Sequence, residues 1–280
     1  VTLTKVSEHR CHRGLQQRYL HDSRTLSCDM HFSIYLPPQA GERKVPLLYW
    51  LSGLTCTDEN FATKAGAQRS AAEHGIAVVA PDTSPRGAHV PDDPEGAWDF
   101  GLGAGFYVNA TRQPWAKHYR MYDYVLEELP ALIAANFAVD GDRASIFGHS
   151  MGGHGALTIA LKNPSRYRSV SAFSPIVSPG TVPWGRKAFG RYLGDDEDAW
   201  AAHDSCELIR RGSRQLPVMI DQGLADEFLE EQLRTSQFER ACAETNYRAT
   251  VRYQPGYDHG YFFIASFIDQ HVAFHSRALA

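Results

Sequence analysis

The sequence predicts an α/β fold, with a mostly parallel central sheet that begins in an antiparallel hairpin and carries helices on both faces. Three observations predict it. Between Thr25 and Leu36 the apolar residues Leu26, Cys28, Met30, Phe32, Ile34 and Leu36 fall on every second position, the period of a half-buried strand. Beyond Pro37-Pro38, short continuous apolar runs alternate with longer helical stretches, the pattern of βαβ units whose strands are covered on both sides. One of those strand-to-helix junctions is a glycine-flanked serine, Gly148-His149-Ser150-Met151-Gly152.

The elements follow in order. Thr25 to Leu36 is expected as an antiparallel edge strand, paired with Leu15 to Leu20 across a His21-Asp22-Ser23 turn and ended by Pro37-Pro38. Buried strands are expected at Val45 to Leu51, Ile76 to Ala80, Ala144 to Phe147, Ser169 to Phe173, Leu216 to Ile220 and Thr250 to Tyr253. Helices are expected near Phe61 to His74, Arg120 to Asn136, Gly153 to Asn163, Glu227 to Thr245 and Tyr261 to Arg277. Pro130 lacks the N–H that a helix interior needs, so it should kink or split the second of these. Two long connections, Asp82 to Trp115 and Ser174 to Arg214, interrupt the rhythm. In open α/β sheets the ligand lies beyond the strand carboxyl ends, so these connections should line the pocket.

Composition narrows the function. Hydrophobic residues make up 43% and charged residues 21% of 280, ordinary globular usage that one domain spanning residues 1–280 accommodates. A net charge of −4 offers no basic stripe for phosphates, so nucleic acid is not an expected partner. The apolar runs fall short of the roughly 20 residues that span a bilayer, and Val1 opens no charged-then-apolar leader, so no membrane anchor is expected. Cys11, Cys28, Cys56, Cys206 and Cys242 are odd in number and scattered, which fits neither a disulfide framework nor a zinc site. A reducing, cytoplasmic compartment and a chain without metal or cofactor are the expectation.

The G-x-S-x-G pattern stands after a strand and before a helix, the setting of the nucleophile elbow in the α/β-hydrolase fold. Glycine is needed at 148 and 152 because the sharp turn leaves no room there for side chains. Ser150 is therefore the candidate nucleophile. In that fold the acid and then the histidine follow in the chain. After the run ending at Ile220 come two carboxylates, Asp221 and Asp226; Asp226 is preferred because it lies outside the strand end, with Asp221 the alternative. After the last run, Gly256-Tyr257-Asp258-His259-Gly260 offers His259 as general base, whereas His149 and His154 flank the elbow and His271 and His275 belong to the final helix, where a surface role is expected. Oxyanion N–H groups are expected from Met151, after the nucleophile, and from Leu54, after Gly53 beyond the run Val45 to Leu51. No S-x-x-K begins at Ser150 and no H-E-x-x-H occurs, which disfavours lysine-assisted and zinc-dependent hydrolysis.

Longer strings carry a more specific signal. LYWLSGLTCTDENF (48 to 61), APDTSPRG (80 to 87), WDFGLGAGFYVNAT (98 to 111), SIFGHSMGGHGAL (145 to 157), SAFSPI (171 to 176), PWGRKAF (183 to 189) and GYDHGYFFI (256 to 264) closely resemble the S-formylglutathione hydrolase (esterase D) family, nearly end to end. The resemblance implies hydrolysis of S-formylglutathione to glutathione and formate, closing glutathione-dependent formaldehyde detoxification, with side activity on short-chain esters. It implies the triad Ser150, Asp226 and His259, oxyanion amides at Leu54 and Met151, Cys56 beside the nucleophile, and a cytosolic homodimer. A general short-chain carboxylesterase or an acyltransferase on the same scaffold are the alternatives. Trp98, Phe106 and Trp184 are candidate pocket walls because they lie in the two long connections, and Lys187 is a candidate for a glutathione carboxylate. Gly260 departs from the family, whose members often carry Ser there.

Overall fold

The structure, a computed structural model, describes residues 2–280. Its strands form one sheet of nine, β1 (Leu3–Cys11), β2 (Gly14–Ser23), β3 (Cys28–Leu36), β4 (Val45–Leu51), β5 (Ala77–Pro81), β6 (Val139–His149), β7 (Val170–Phe173), β8 (Val218–Gly223) and β9 (Thr250–Gln254). The spatial order is β1-β2-β3-β5-β4-β6-β7-β8-β9, parallel from β5 through β9. This is the α/β-hydrolase arrangement. A hydrophobic layer packs on each face of the sheet.

The N-terminal hairpin is present, with two differences from expectation. Leu36 opposes Leu15 and Cys28 opposes Ser23, so β2 runs through the expected turn and the chain reverses at residues 24–27. That turn is held from afar: Glu128 accepts the Ser23 hydroxyl and the N–H groups of Arg24 and Thr25 at 2.8–2.9 Å. Nor is β3 an edge, because it pairs with β5 on its other side while β1 forms the outer strand. Mostly exposed, β1 shows no apolar alternation, and the charges of Lys5, Glu8 and Arg10 blunt the open edge against pairing with another chain.

The helical stretches divide where local chemistry requires. The first splits into α1 (Asp58–Lys64) and α2 (Gln68–His74) around Gly66, whose φ is +72°. Thr57 and Asn60 cap α1 reciprocally, and the buried Asp58 carboxylate ties it to Arg18 on β2 and Ser33 on β3. The second consists of α3 (Met121–Asp123), a π turn at Tyr124–Glu128, and α4 (Leu129–Asn136). Pro130 explains that turn: its ring cannot donate to the Leu126 carbonyl, which instead accepts from the Arg166 guanidinium at 2.9 Å. Helix α5 (Met151–Lys162) follows the elbow, and α9 (Thr235–Thr245) and α10 (Tyr261–Leu279) complete the layers.

The connection Ser174 to Arg214 is largely helical, containing α6 (Pro183–Tyr192), α7 (Glu197–Ala201) and α8 (Ser205–Arg210). Asp196 and Asp204 cap the latter two with their carboxylates, signals that the sequence displays. By contrast, the connection Asp82 to Trp115 remains mostly irregular, pinned by ion pairs Arg86–Asp82 and Arg191–Asp93.

Candidate active site

Ser150 stands at the junction of β6 and α5 with φ 56° and ψ −120°, a strained conformation for a residue bearing a side chain. The surrounding glycines are a steric requirement. A Cβ on Gly148 would lie 2.3 Å from the Gly152 carbonyl oxygen, and one on Gly152 would lie 2.0 Å from the Leu51 oxygen. The Ser150 N–H donates to Phe173 on β7 at 3.0 Å, fixing the turn against the neighbouring strand.

Asp226 and His259 meet, as expected. The Nδ1 of His259 lies 2.6 Å from Asp226 Oδ2, while Oδ1 accepts the Phe228 N–H at 2.9 Å. Burial pushes the Asp226 carboxyl up, but the bonds from His259 and Phe228 outweigh it and hold the group below its ordinary pKa. An ionised Asp226 accepts a hydrogen bond from Nδ1–H, which keeps the ring hydrogen on Nδ1 and leaves Nε2 free to act as a base. The His149 ring packs 4.4 Å from that of His259, so the histidine loop lies against the elbow. No Ser150–His259 hydrogen bond is formed in this structure; such bonds tighten with substrate.

The loop after β4 closes over the same turn. A Cβ on Gly53 would come within 3.1 Å of both Ser150 Cβ and His149 Nδ1, so the missing side chain lets this loop approach the elbow without pushing its neighbours back. The adjacent Thr55 N–H is taken by Gly103 and that of Cys56 by Gly53, whereas the N–H groups of Leu54 and Met151 have no acceptor among the described residues.

With this arrangement in view, the chain matches across residues 23–274 the family model Esterase, described as "Putative esterase". It superposes on an S-formylglutathione hydrolase from Agrobacterium tumefaciens with a TM-score of 0.97, at 49% identity over 99% of each chain. The chain belongs to the S-formylglutathione hydrolase family. Two more distant structures share the fold: a fluorophosphonate-binding serine hydrolase of Staphylococcus aureus (19% identity, 94% of this chain and 98% of that one, TM-score 0.75) and a ferulic acid esterase of Anaeromyces mucronatus (18%, 97% and 91%, TM-score 0.65).

Around the elbow of this hydrolase, the sequence candidates separate. Trp98, exposed at the rim, meets Trp184 edge to face at 5.5 Å; Trp184 packs on Phe228 at 4.8 Å, and Phe228 meets the His259 ring at 5.1 Å. These residues form one aromatic wall from the surface to the histidine. Phe228 is the member that sequence reasoning missed, although it stands only two residues past Asp226. Phe106 is no wall: it is fully buried, its N–H faces the Met151 sulfur at 3.4 Å, and its carbonyl bonds the His154 ring at 3.0 Å. It supports the elbow from beneath. Lys187 is engaged too, its ammonium 2.5 Å from Asp99.

Asp221 belongs to a different network. Fully buried on β8, it pairs with Arg252 and Gln254 of β9 and accepts from His271 Nε2 at 3.1 Å. His271 and His275 are wholly buried, correcting the surface role expected for them; both bond the Ser171 hydroxyl at 2.8 Å, and His275 also bonds Ser169. They are polar rivets between α10 and β7 that helical periodicity alone does not distinguish from surface histidines. Burial pushes the Asp221 carboxyl up, yet the bonds from His271 and Arg252 outweigh it and bring it down to about 2. Because this pKa lies below the ordinary 3.8, the stability it contributes is complete above about pH 4 and fades as pH falls towards about 2. Unfolding measured across that window should show the stability difference between parent and Asp221→Asn shrinking as pH drops. A difference that stays constant there would mean Asp221 does not titrate as described.

Cys56 is partly buried beside Tyr261, and burial lifts its thiol pKa above the ordinary 9. Little thiolate is therefore present at neutral pH. A maleimide should inactivate the parent slowly near neutrality and faster as pH rises, whereas Cys56→Ser should retain activity and resist the reagent. Unchanged sensitivity in Cys56→Ser would move the effect to another thiol.

Proposed function

We propose that this protein hydrolyses S-formylglutathione to glutathione and formate in the cytoplasm, completing glutathione-dependent formaldehyde detoxification, and that it acts as a homodimer. Its 49% identity to the Agrobacterium tumefaciens S-formylglutathione hydrolase, over 99% of each chain, carries this reading. The Asp226–His259 pair beside the strained Ser150 supports the mechanism.

In the first half-reaction Ser150 Oγ attacks the thioester carbonyl while His259 Nε2 takes its proton. The Leu54 and Met151 N–H groups receive the negative oxygen. Collapse breaks the carbon–sulfur bond, and the His259 imidazolium protonates the departing glutathione thiolate. Water, deprotonated by His259, then attacks the formyl ester of Ser150, and formate leaves as Ser150 regains its proton. Throughout, Asp226 holds the imidazole orientation and stabilises its charged form.

The aromatic wall sets acyl size. A chain longer than two to four carbons must displace Trp184 or Phe228, at an overpacking cost of about 1–3 kcal/mol, or roughly five- to 150-fold in rate. Accordingly kcat/KM along an acyl series should fall steeply beyond two to four carbons, and Phe228→Ala should flatten that profile. The deciding experiment compares S-formylglutathione with a short aryl ester, with and without an acceptor alcohol. Preference for the aryl ester would favour a general carboxylesterase, transfer to the alcohol an acyltransferase, and a maximum at eight carbons a lipase-like pocket.

A further inference from the structure

Gln222 follows Asp221 on β8, and successive side chains of a strand point to opposite faces of the sheet. While Asp221 meets His271 of α10, the Gln222 amide therefore meets α9 and the loop that carries Asp226. Gln222 is fully buried, as is Thr235, the first residue of α9. Its Oε1 lies 2.7 Å from the Thr235 hydroxyl, and its Nε2 lies 3.0 Å from the Gly223 carbonyl oxygen and 3.3 Å from Asp226 Oδ2.

The polarity of this amide is dictated by what surrounds it. A carbonyl oxygen and an ionised carboxylate can only accept, so the end between Gly223 and Asp226 is the NH2, with a hydrogen for each. The Thr235 hydroxyl then donates to Oε1. Reversed, the amide would press its oxygen against two others with no hydrogen between them.

Asp226 thus receives donors on both oxygens. Oδ1 takes the Phe228 N–H, which belongs to the same loop and moves with it. Oδ2 takes His259 Nδ1–H at 2.6 Å and the Gln222 amide, which belongs to the sheet. The fully buried Ser174 hydroxyl adds to the polar surroundings of the carboxylate from just beyond β7, outside hydrogen-bond geometry. Around the pair, burial keeps His149 of the elbow neutral and Tyr261 at the start of α10 protonated, and the acidic chain neighbours Glu227 and Asp258 are exposed.

We propose that Gln222 is a positioning residue for the triad, its amide anchoring Asp226 Oδ2 to the end of β8 and drawing off part of the charge that faces His259. The role rests on Ser150, Asp226 and His259 acting as the triad, and holds whichever acyl compound they cleave.

Gln222→Met keeps the side-chain length and removes the amide. The 2.6 Å bond between His259 and Asp226 persists, so the two residues shift together relative to Ser150, and kcat should fall about tenfold with KM little changed. The carboxylate, no longer sharing its charge, holds the imidazolium more firmly, so the acid limb of kcat/KM should move upward by about half a pH unit. Thr235→Val strands Oε1 but leaves the donor in place, so it should lower the melting temperature with the limb unmoved. In the parent, one Gln222 side-chain amide proton, assigned by through-bond NMR, should titrate together with the His259 ring, a measurement that needs no variant to fold. Each pH profile is taken on S-formylglutathione and on a short aryl ester. A parent active only on the ester would defeat the substrate reading, while the ester limb still decides the role of Gln222. An acid limb that stays put or moves downward in Gln222→Met, an equal displacement in Thr235→Val, or an amide proton that ignores the His259 titration would each overturn the proposal.

Discussion

Ser150→Ala is expected to lower kcat by a factor on the order of 10⁶, by analogy with removal of the serine from a hydrolase triad. The acyl-enzyme route has no second nucleophile, because the water that completes the reaction needs the Ser150 ester to attack. The variant should fold as the parent does, since alanine keeps the same backbone strain at φ 56° and leaves every glycine contact and the Phe173 bond in place. Stopped-flow detection of released thiol, with enzyme in excess, provides the check. The parent should release one thiol per substrate molecule in a single fast phase, and the variant should show no such phase. Activity within tenfold of the parent would remove Ser150 from the mechanism.

The second large effect separates two carboxylates on the same strand-loop unit. Asp226→Asn should cut kcat by about 10⁴, as in the triad of serine proteases, because asparagine offers its amide to His259 and favours the wrong tautomer. Circular dichroism and melting should be nearly those of the parent. Asp221→Asn should do the reverse. Removing the charge that Arg252 and His271 face in the core should cost about 3 kcal/mol of stability, seen as a lower melting temperature, with kcat close to normal. If the catalytic loss followed Asp221 instead, the assignment of the orienting acid would be exchanged.

Much of this site was legible because its signals are local. The elbow needs glycine on both sides of Ser150 within five residues, and it declares itself by composition and by its place between a run of buried residues and a helix. Asp226 and His259 were found by their positions after the late strands, a consequence of a parallel sheet delivering every strand end to one side. Less legible was the wall. Trp98 and Trp184 were identifiable as bulky residues in long connections, but the same reasoning put Phe106 with them, and it lies buried beneath Met151. Residue type cannot say which side of a loop faces the core.

The sequence by itself determined the α/β order of elements, the elbow and the chain order of the triad candidates, since each follows from periodicity or sterics within a few residues. Tertiary structure decided what depends on contacts between distant segments: β1 as the outer strand, the hairpin turn held by Glu128, the Leu126 carbonyl satisfied by Arg166, and His271 and His275 buried against β7. The physical reason is common to all four. A polar group's partner across the fold is chosen by three-dimensional proximity, and buried polar groups must find such partners, so the same glutamate or histidine reads as surface in sequence and as a rivet in the core.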